Sequence, residues 1–309
     1  MILHIDIDCF YCSAERLRDD SLRNIPIAVG GQGGVKIFGE TPKESDFGHG
    51  IIVTSSYEAR SKGVKTGMLI KHALSVCPDL VIIPPQHRYY RELSRRLHQA
   101  LMRFSPVVES LSIDEFFCDL KGLDIDLSLY TKKVKDEILE KIGLPVSIGV
   151  APSKWIAKLA TGAAKPSGIR IVLPSEVPSF ISHQPLNAFS GMGKQMRLKL
   201  KAHGIHTLGE AANAKHLFDS WGKGALKLYE RLVGEDEEPV LANKPRKSIG
   251  ISRTFPPLKN RQELRRRVLI LARHVSALVL KHESYPRSFS FSLRYEYGTK
   301  ITQQVTKDR

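Results

Sequence analysis

Ser112-Ile113-Asp114-Glu115 sets two adjacent carboxylates between two apolar-alternating runs, Val107 to Leu111 and Phe116 to Leu120. Successive side chains on a strand point to opposite faces, so neighbouring acids on a regular strand would diverge. A tight bend between two strands instead brings both to one edge of a sheet. Crowded like charges are costly unless a cation neutralises them, which reads the pair as hard oxygen ligands for a divalent metal. The same four residues also read as no more than the polar turn of a β-hairpin.

Moving outward, Ile2 to Ile7 reads as a short β-branched strand, with a helical pattern after it through Arg18. Pro26 to Val29, Ile51 to Ser55 and Leu80 to Ile83 read as strands, and Tyr57 to Lys62 as a short helix. His87 to Phe104 is a basic amphipathic helix, with Tyr90, Leu93, Leu97 and Leu101 at helical spacing. After the acidic hairpin come a helix near Tyr130 to Ile142, a strand from Pro145 to Val150 and a helix near Ser153 to Gly162. This order predicts a mixed or antiparallel sheet covered by helices. It fits βαββαβ if residues 10 to 78 are an insertion after the first strand. From Pro174 the chain changes to short helices punctuated by glycine. Ala242 to Lys247 reads as a linker, followed by a strand at Ser248 to Phe255, a basic helix at Arg261 to Glu283, an alternating strand at Ser288 to Tyr297 and a last element at Ile301 to Thr306.

At 309 residues, 42% hydrophobic and 26% charged, the chain has the composition of a soluble globular protein with more than one domain. Charge is uneven. Residues 244 to 309 hold 16 Lys and Arg against 4 Asp and Glu, a balance of +12, whereas the remaining 243 residues hold 31 against 28, only +3. A basic module on a near-neutral body predicts a polyanionic partner, nucleic acid first, with a merely solubilising surface as the alternative. Cys9 and Cys12 have CxxC spacing, but no second pair matches it for zinc. With Cys77 and Cys118 they are expected to be buried free thiols in a reducing compartment. The N-terminus lacks a secretory signal, and Val268 to Leu280, interrupted by Arg273 and His274, is far short of the roughly 20 residues of a membrane span. A cytoplasmic protein is expected.

Asp6 and Asp8 flank Ile7 at the end of the first strand and fall on one side of the sheet. A first-strand carboxylate beside Asp114 and Glu115 gives the three-acid constellation of two-metal phosphoryl transfer. Asp8 reads instead as the N-cap of the following helix. A triphosphate also needs cations and hydroxyls, which Tyr57 and Arg60 offer at i and i+3, and Lys165 offers on the turn Ala164-Lys165-Pro166-Ser167-Gly168. Gly31, Gly33 and Gly34 match no phosphate-loop pattern. Gly191-Met192-Gly193-Lys194 between two helical segments reads as a helix-hairpin-helix with backbone N–H groups for a phosphate, or as a simple αα-hairpin.

Ile5-Asp6-Ile7-Asp8-Cys9-Phe10-Tyr11, Thr54-Ser55-Ser56-Tyr57-Glu58-Ala59-Arg60, Ser112-Ile113-Asp114-Glu115 and Ala164-Lys165-Pro166-Ser167-Gly168, in this order, resemble the Y-family translesion DNA polymerases, and the bacterial DinB branch in particular. Gly191-Met192-Gly193 resembles that family's thumb hairpin, and Arg246-Lys247-Ser248-Ile249-Gly250 the start of its little finger. The resemblance implies an α+β right hand. Its palm would be residues 1–10 and 79–166 in βαββαβ order, its small fingers 11–78, its helix-hairpin-helix thumb 167–240, its linker 241–247 and its α/β little finger 248–309. It implies Asp6, Asp114 and Glu115 as catalytic residues that hold two Mg²⁺ ions, with the carbonyl of Ile7 assisting. Thr54, Tyr57, Arg60 and Lys165 would grip the triphosphate, Tyr11 would be a steric gate against a 2′-hydroxyl, and Phe10 would shape the same pocket. Primer-template DNA is expected at Gly191, Gly193, Lys194, Lys247 and Arg253.

The expected reaction is template-directed extension of a primer 3′-OH with deoxynucleoside triphosphates, at low fidelity and without proofreading, by a nucleoid-associated monomer. Two features depart from the family. The Gly30 to Gly50 stretch is longer than the resemblance implies, and the chain ends at Arg309 before the last helix and strand of a little finger, with no clamp-binding peptide of the Gln-x-x-Leu-Phe kind for a sliding clamp. A noncatalytic DNA-binding accessory protein on the same fold would have no need of the three acids. A nucleotidyl cyclase would need neither the Gly-Met-Gly hairpin nor the basic module.

Overall fold

The computed structural model describes residues 1–31, 35–38, 50–243, 245–255 and 257–307. Most of the long Gly30 to Gly50 stretch thus lies outside the described residues.

The first strand, β1 (Ile2–Ile7), buries Leu3, Ile5 and Ile7 on one face and turns His4 and Asp6 to the other. The chain then leaves through α1 (Phe10–Arg16), β2 (Ile27–Gly31), β3 (Ile51–Ser55), α2 (Tyr57–Ser61), α3 (Ile70–Val76) and β4 (Val81–Ile83). It returns through α4 (His87–Leu101), β5 (Val108–Ser110), β6 (Glu115–Asp119), α5 (Leu127–Ile142), β7 (Val146–Ala151), α6 (Lys154–Ala164) and β8 (Ile169–Ile171). β1 lies at the centre of a five-stranded sheet of order β5-β6-β1-β7-β8, antiparallel to both neighbours. With the excursion set aside, β1, α4, β5, β6, α5 and β7 follow the expected βαββαβ order.

One face of this sheet is covered by α4, through Tyr90, Leu93, Leu97 and Leu101, and by α5, through Val134, Ile138 and Ile142. The other face takes α6, which packs so closely that a Cβ on Gly149 would fall 2.2 Å from the Ala157 carbonyl oxygen. Glycine at that strand position is what lets the helix approach. The face under α6 is the one that carries His4 and Asp6.

The excursion forms its own three-stranded sheet, β3-β2-β4, over a small core of Ala28, Ile52, Ala59, Val64, Ile70, Ala73, Cys77 and Leu80. Here the structure adds two features to the sequence reading. The helix α3 has no counterpart in it, and β4 pairs in parallel with β2, so the excursion's sheet reaches past residue 78. Likewise the large sheet runs past residue 166, because β8 pairs with β7.

Five short helices follow, α7 (Val177–Ile181), α8 (Lys194–Ala202), α9 (Leu208–Ala212), α10 (Lys215–Ser220) and α11 (Lys223–Val233). They share a core with α6 that includes Leu200, Leu208, Phe218 and Leu232. The C-terminal module holds α12 (Arg261–Lys281) and the hairpin β9 (Ser288–Arg294) with β10 (Lys300–Thr306). Ser248 to Phe255 corrects the sequence reading, since its described residues join no sheet. Alternation alone does not make a strand without a ladder partner. Phe255 instead packs edge-on against Phe38, at 5.7 Å, and the Arg267 guanidinium lies over both rings at 4.8 and 4.7 Å. The four cysteines are buried free thiols, and burial pushes Cys12 and Cys118 up to about 12. Among the described residues no helix is long and apolar enough to cross a membrane.

Candidate active site

The bend between β5 and β6 is closed by the Glu115 carbonyl, which accepts from the N–H groups of Leu111 at 2.9 Å and Ser112 at 3.3 Å. Ser112 Oγ donates to Asp114 at 2.5 Å and lies 3.4 Å from Glu115 Oε2, so one hydroxyl bridges the adjacent acids. The hairpin-turn reading and the paired-acid reading therefore describe the same four residues.

Strand register brings the pair to β1. Glu115 lies directly opposite Asp6, and the Ile7 N–H donates to the Asp114 carbonyl at 3.1 Å. On the other side of Asp6 stands Ser147 of β7. Burial pushes the Asp6 carboxyl up to about 6; Lys165 opposes that rise, and the Glu115 and Asp114 charges add to it. The cations are close at hand. Lys165 Nζ ion-pairs with Asp6 at 2.5 Å, and Lys158 of α6 pairs with Glu115. Below them His4 is buried against Thr161 Oγ1 at 2.9 Å, and burial with the charges of Lys158 and Lys165 holds its pKa well below the ordinary histidine value. With two of the acids engaged by lysines, no group of three or more His, Cys, Asp or Glu side chains among the described residues is gathered to hold a metal. The donor chemistry, three carboxylates at one sheet end, is that of a hard divalent cation.

The sequence reading missed His4, Lys158, Ser112 and Ser147. Strand parity was the available signal for His4, which shares a face with Asp6. Lys158 needed the knowledge that α6 covers that face.

Asp8 is not a helix cap. α1 is preceded by Cys9 in the left-handed region at φ 45°, with no side-chain cap. The Asp8 carboxylate points inward and accepts from Tyr57 Oη at 3.0 Å, from Ser147 Oγ at 3.0 and 2.9 Å, and from the Ser167 N–H at 2.6 Å. Tyr57 in turn lies under the Arg60 guanidinium at 5.2 Å, while Arg60 Nε donates to the Ser55 carbonyl at 3.0 Å. Burial, with Asp8 and Cys9 adding to it, pushes the Tyr57 phenol up. Thr54 is half-buried near the end of β3, three residues before Tyr57. Lys165 sits on a turn so tight that a Cβ on Gly168 would fall 2.1 Å from the Ala164 oxygen.

Tyr11 stacks on Tyr90 with centroids 4.1 Å apart and 17° between planes, and buried Phe10 lies 5.4 Å from the Tyr11 ring. Burial and the Asp114 charge push the Tyr11 phenol up, which puts the aromatic wall within electrostatic reach of the acids. The expected DNA contacts lie on other modules. Gly191 takes φ +99°, Met192 is buried, and Gly193 precedes Lys194 at the start of α8. Lys247 and Arg253 are exposed in the C-terminal module.

Comparison with known proteins covers nearly the whole chain. Residues 5–162 match the impB/mucB/samB family, and residues 246–309 match that family's C-terminal domain. DNA polymerase IV of Pasteurella multocida is 30% identical over 97% of this chain and 82% of its own length. DNA polymerase IV of Halorhodospira halophila is 32% identical over 99% of this chain and 84% of its own. Among solved structures, a chimeric Y-family DNA polymerase superposes with a TM-score of 0.85 at 26% identity, covering 100% of this chain and 88% of the other. The insertion ternary complex of Dbh DNA polymerase superposes with a TM-score of 0.73 at 25% identity, covering 99% and 87%.

Proposed function

The chain belongs to the impB/mucB/samB family of Y-family DNA polymerases and is a translesion-type DNA polymerase, and on that premise we propose that Asp6, Asp114 and Glu115 are its catalytic carboxylates. The observation that carries this assignment is the register of β1 against β6, which sets Asp6 opposite Glu115 and hydrogen-bonds Ile7 to Asp114. Three acids at one sheet end, with two lysines balancing their charge, suit the transfer of a phosphoryl group. Substrates are a primer-template DNA and a deoxynucleoside triphosphate, and the products are the extended primer and pyrophosphate.

Asp6, Asp114 and Glu115, with the Ile7 carbonyl, would hold two Mg²⁺ ions. When bound, such a pair activates the attacking hydroxyl and steadies the triphosphate and leaving oxygens. The chain's own groups do the rest. Lys165, now on Asp6, is free to turn to a phosphate once the carboxylate has another cation. Arg60 and Tyr57 present a guanidinium and a phenol from the excursion, with Thr54 beside them. Tyr11, held flat on Tyr90 with Phe10 behind it, forms the wall that meets the sugar. Catalysis is then positioning and charge neutralisation.

The palm is residues 1–10 and 84–171, which takes in β8, the fingers 11–83, which take in β4, the thumb 172–240, and the little finger 248–309 after the 241–247 linker. Gly191, Gly193 and Lys194 on the thumb, and Lys247 and Arg253 beyond it, contact the DNA backbone. We place the enzyme in the cytoplasm at the nucleoid, acting as a monomer, with a sliding clamp as an auxiliary partner. Asp114→Ala tests the assignment. It should bind primer-template as the parent does and extend it slower by on the order of 10³-fold or more. Extension at the parent rate would overturn the reading.

A further inference from the structure

Asp8 is 2% exposed and carries a carboxylate that stands outside the proposed metal ligands. Burying such a group is unfavourable unless donors surround it. Its donors come from three separate parts of the chain: the Tyr57 phenol on α2, the Ser147 hydroxyl on β7, and the Ser167 N–H on the turn after α6. Its own backbone is fixed as well, with the N–H donating to the Pro145 carbonyl at 3.0 Å and the carbonyl accepting from Ser13 Oγ at 2.5 Å. Two of the side chain's donors lead to phosphate-gripping groups. Tyr57 carries Arg60 on its ring, and Ser167 is two residues from Lys165.

We propose that Asp8 is the positioning residue of the triphosphate grip, a palm carboxylate that sets Tyr57 and Arg60 of the fingers at a fixed distance from Lys165. The proposal rests on the reading of those three side chains as triphosphate contacts. The physical argument is one of valence. A carboxylate offers only acceptor oxygens, and here they take all three donors, the single Ser147 hydroxyl shared between Oδ1 and Oδ2. An amide in its place turns an NH₂ group either toward the Ser167 N–H, which then loses its acceptor, or toward the Tyr57 hydroxyl, which must turn from donor to acceptor, so the link to the turn or to the fingers is lost or weakened. A carboxylate kept only for packing would instead leave nucleotide binding untouched when replaced by its isostere.

Single-nucleotide insertion with varied deoxynucleoside triphosphate, on the full chain, separates the two. Asp8→Asn should raise KM for the nucleotide by about tenfold, the loss expected from one hydrogen bond to a charged group, while Kd for primer-template stays within about twofold. Ser147→Ala removes the hydroxyl that bridges both Asp8 oxygens and touches none of the proposed grip residues, so it should raise the same KM severalfold with kcat near the parent's. Tyr57→Phe should raise KM by a smaller factor in the Asp8→Asn background than in the parent, because part of what the phenol does there runs through Asp8. A fall in kcat that tracks only the folded fraction, with KM unchanged in both Asp8→Asn and Ser147→Ala, would overturn the positioning role while leaving the polymerase reading intact. A parent protein that extends no primer would overturn both. Should Asp8→Asn fail to fold, Ser147→Ala alone decides.

Discussion

Tyr11 is held by its neighbour Tyr90 in a near-parallel stack, so its ring has little freedom to retreat from a bulkier sugar. Tyr11→Ala should therefore admit ribonucleotides, lowering discrimination against them at least tenfold with the rate for deoxynucleotides changed much less. Competition between labelled ribo- and deoxynucleotides measures it, and unchanged discrimination would place the gate elsewhere. At this scale the meeting of Asp6 with Asp114 and Glu115 was legible because a strand end and a bend between two strands are local signals, whereas Tyr11 was singled out only through the resemblance. Asp8 was not, since an aspartate before a helix looks like a cap, and only the left-handed turn at Cys9 removes it from that position. Lys158 was hidden for a different reason. Its partner Glu115 is 43 residues away, and nothing local records which face of a helix meets which face of a sheet.

Elements marked by an apolar run or a clear cap were readable even when short, as β3, β4 and α2 show, and elements without such a mark were not. β1 has the bounds its β-branched run suggests, and α4 buries the four residues its spacing named. β8 has only three residues and α3 starts without a side-chain cap, so neither offers a period or a boundary signal. The packing of α6 depends on a feature that sequence hid entirely. Lys154, 1% exposed, ion-pairs with the equally buried Glu109 of β5 at 2.8 Å, and Glu109 also accepts from the Leu241 N–H at 2.8 Å. Sheet, helix and the start of the linker meet at this pair. Lys154→Ala should destabilise the protein by about 3–5 kcal/mol, because it strands a buried carboxylate. The double replacement Glu109→Leu/Lys154→Met should recover part of that loss, since it removes both charges together. Urea unfolding of the three variants measures it; a Lys154→Ala protein as stable as the parent would show that the pair is not the joint.

Across the whole molecule, charge and shape divide the labour. The acids lie in the body, whose 243 residues carry +3, and the +12 region begins at Lys244. Its elements offer little apolar cover, with α12 largely exposed and Phe289, Phe291, Ile301 and Val305 about half exposed on β9 and β10. Among the described residues it meets the excursion at the cluster of Phe38, Phe255 and Arg267, a small junction for a module of this size. A module held lightly and charged strongly contributes to DNA binding through released counterions more than through shape. Removal of residues 244–309 should then weaken primer-template binding and flatten the plot of log Kobs against log salt concentration, by about 0.9 for each duplex phosphate that the shortened chain no longer neutralises. Fluorescence anisotropy over a salt series gives both slopes. The truncated protein should keep its acids and its aromatic wall, so at low salt and high DNA concentration single-nucleotide insertion should persist. Equal slopes before and after removal would mean that this region solubilises the chain instead of gripping its template.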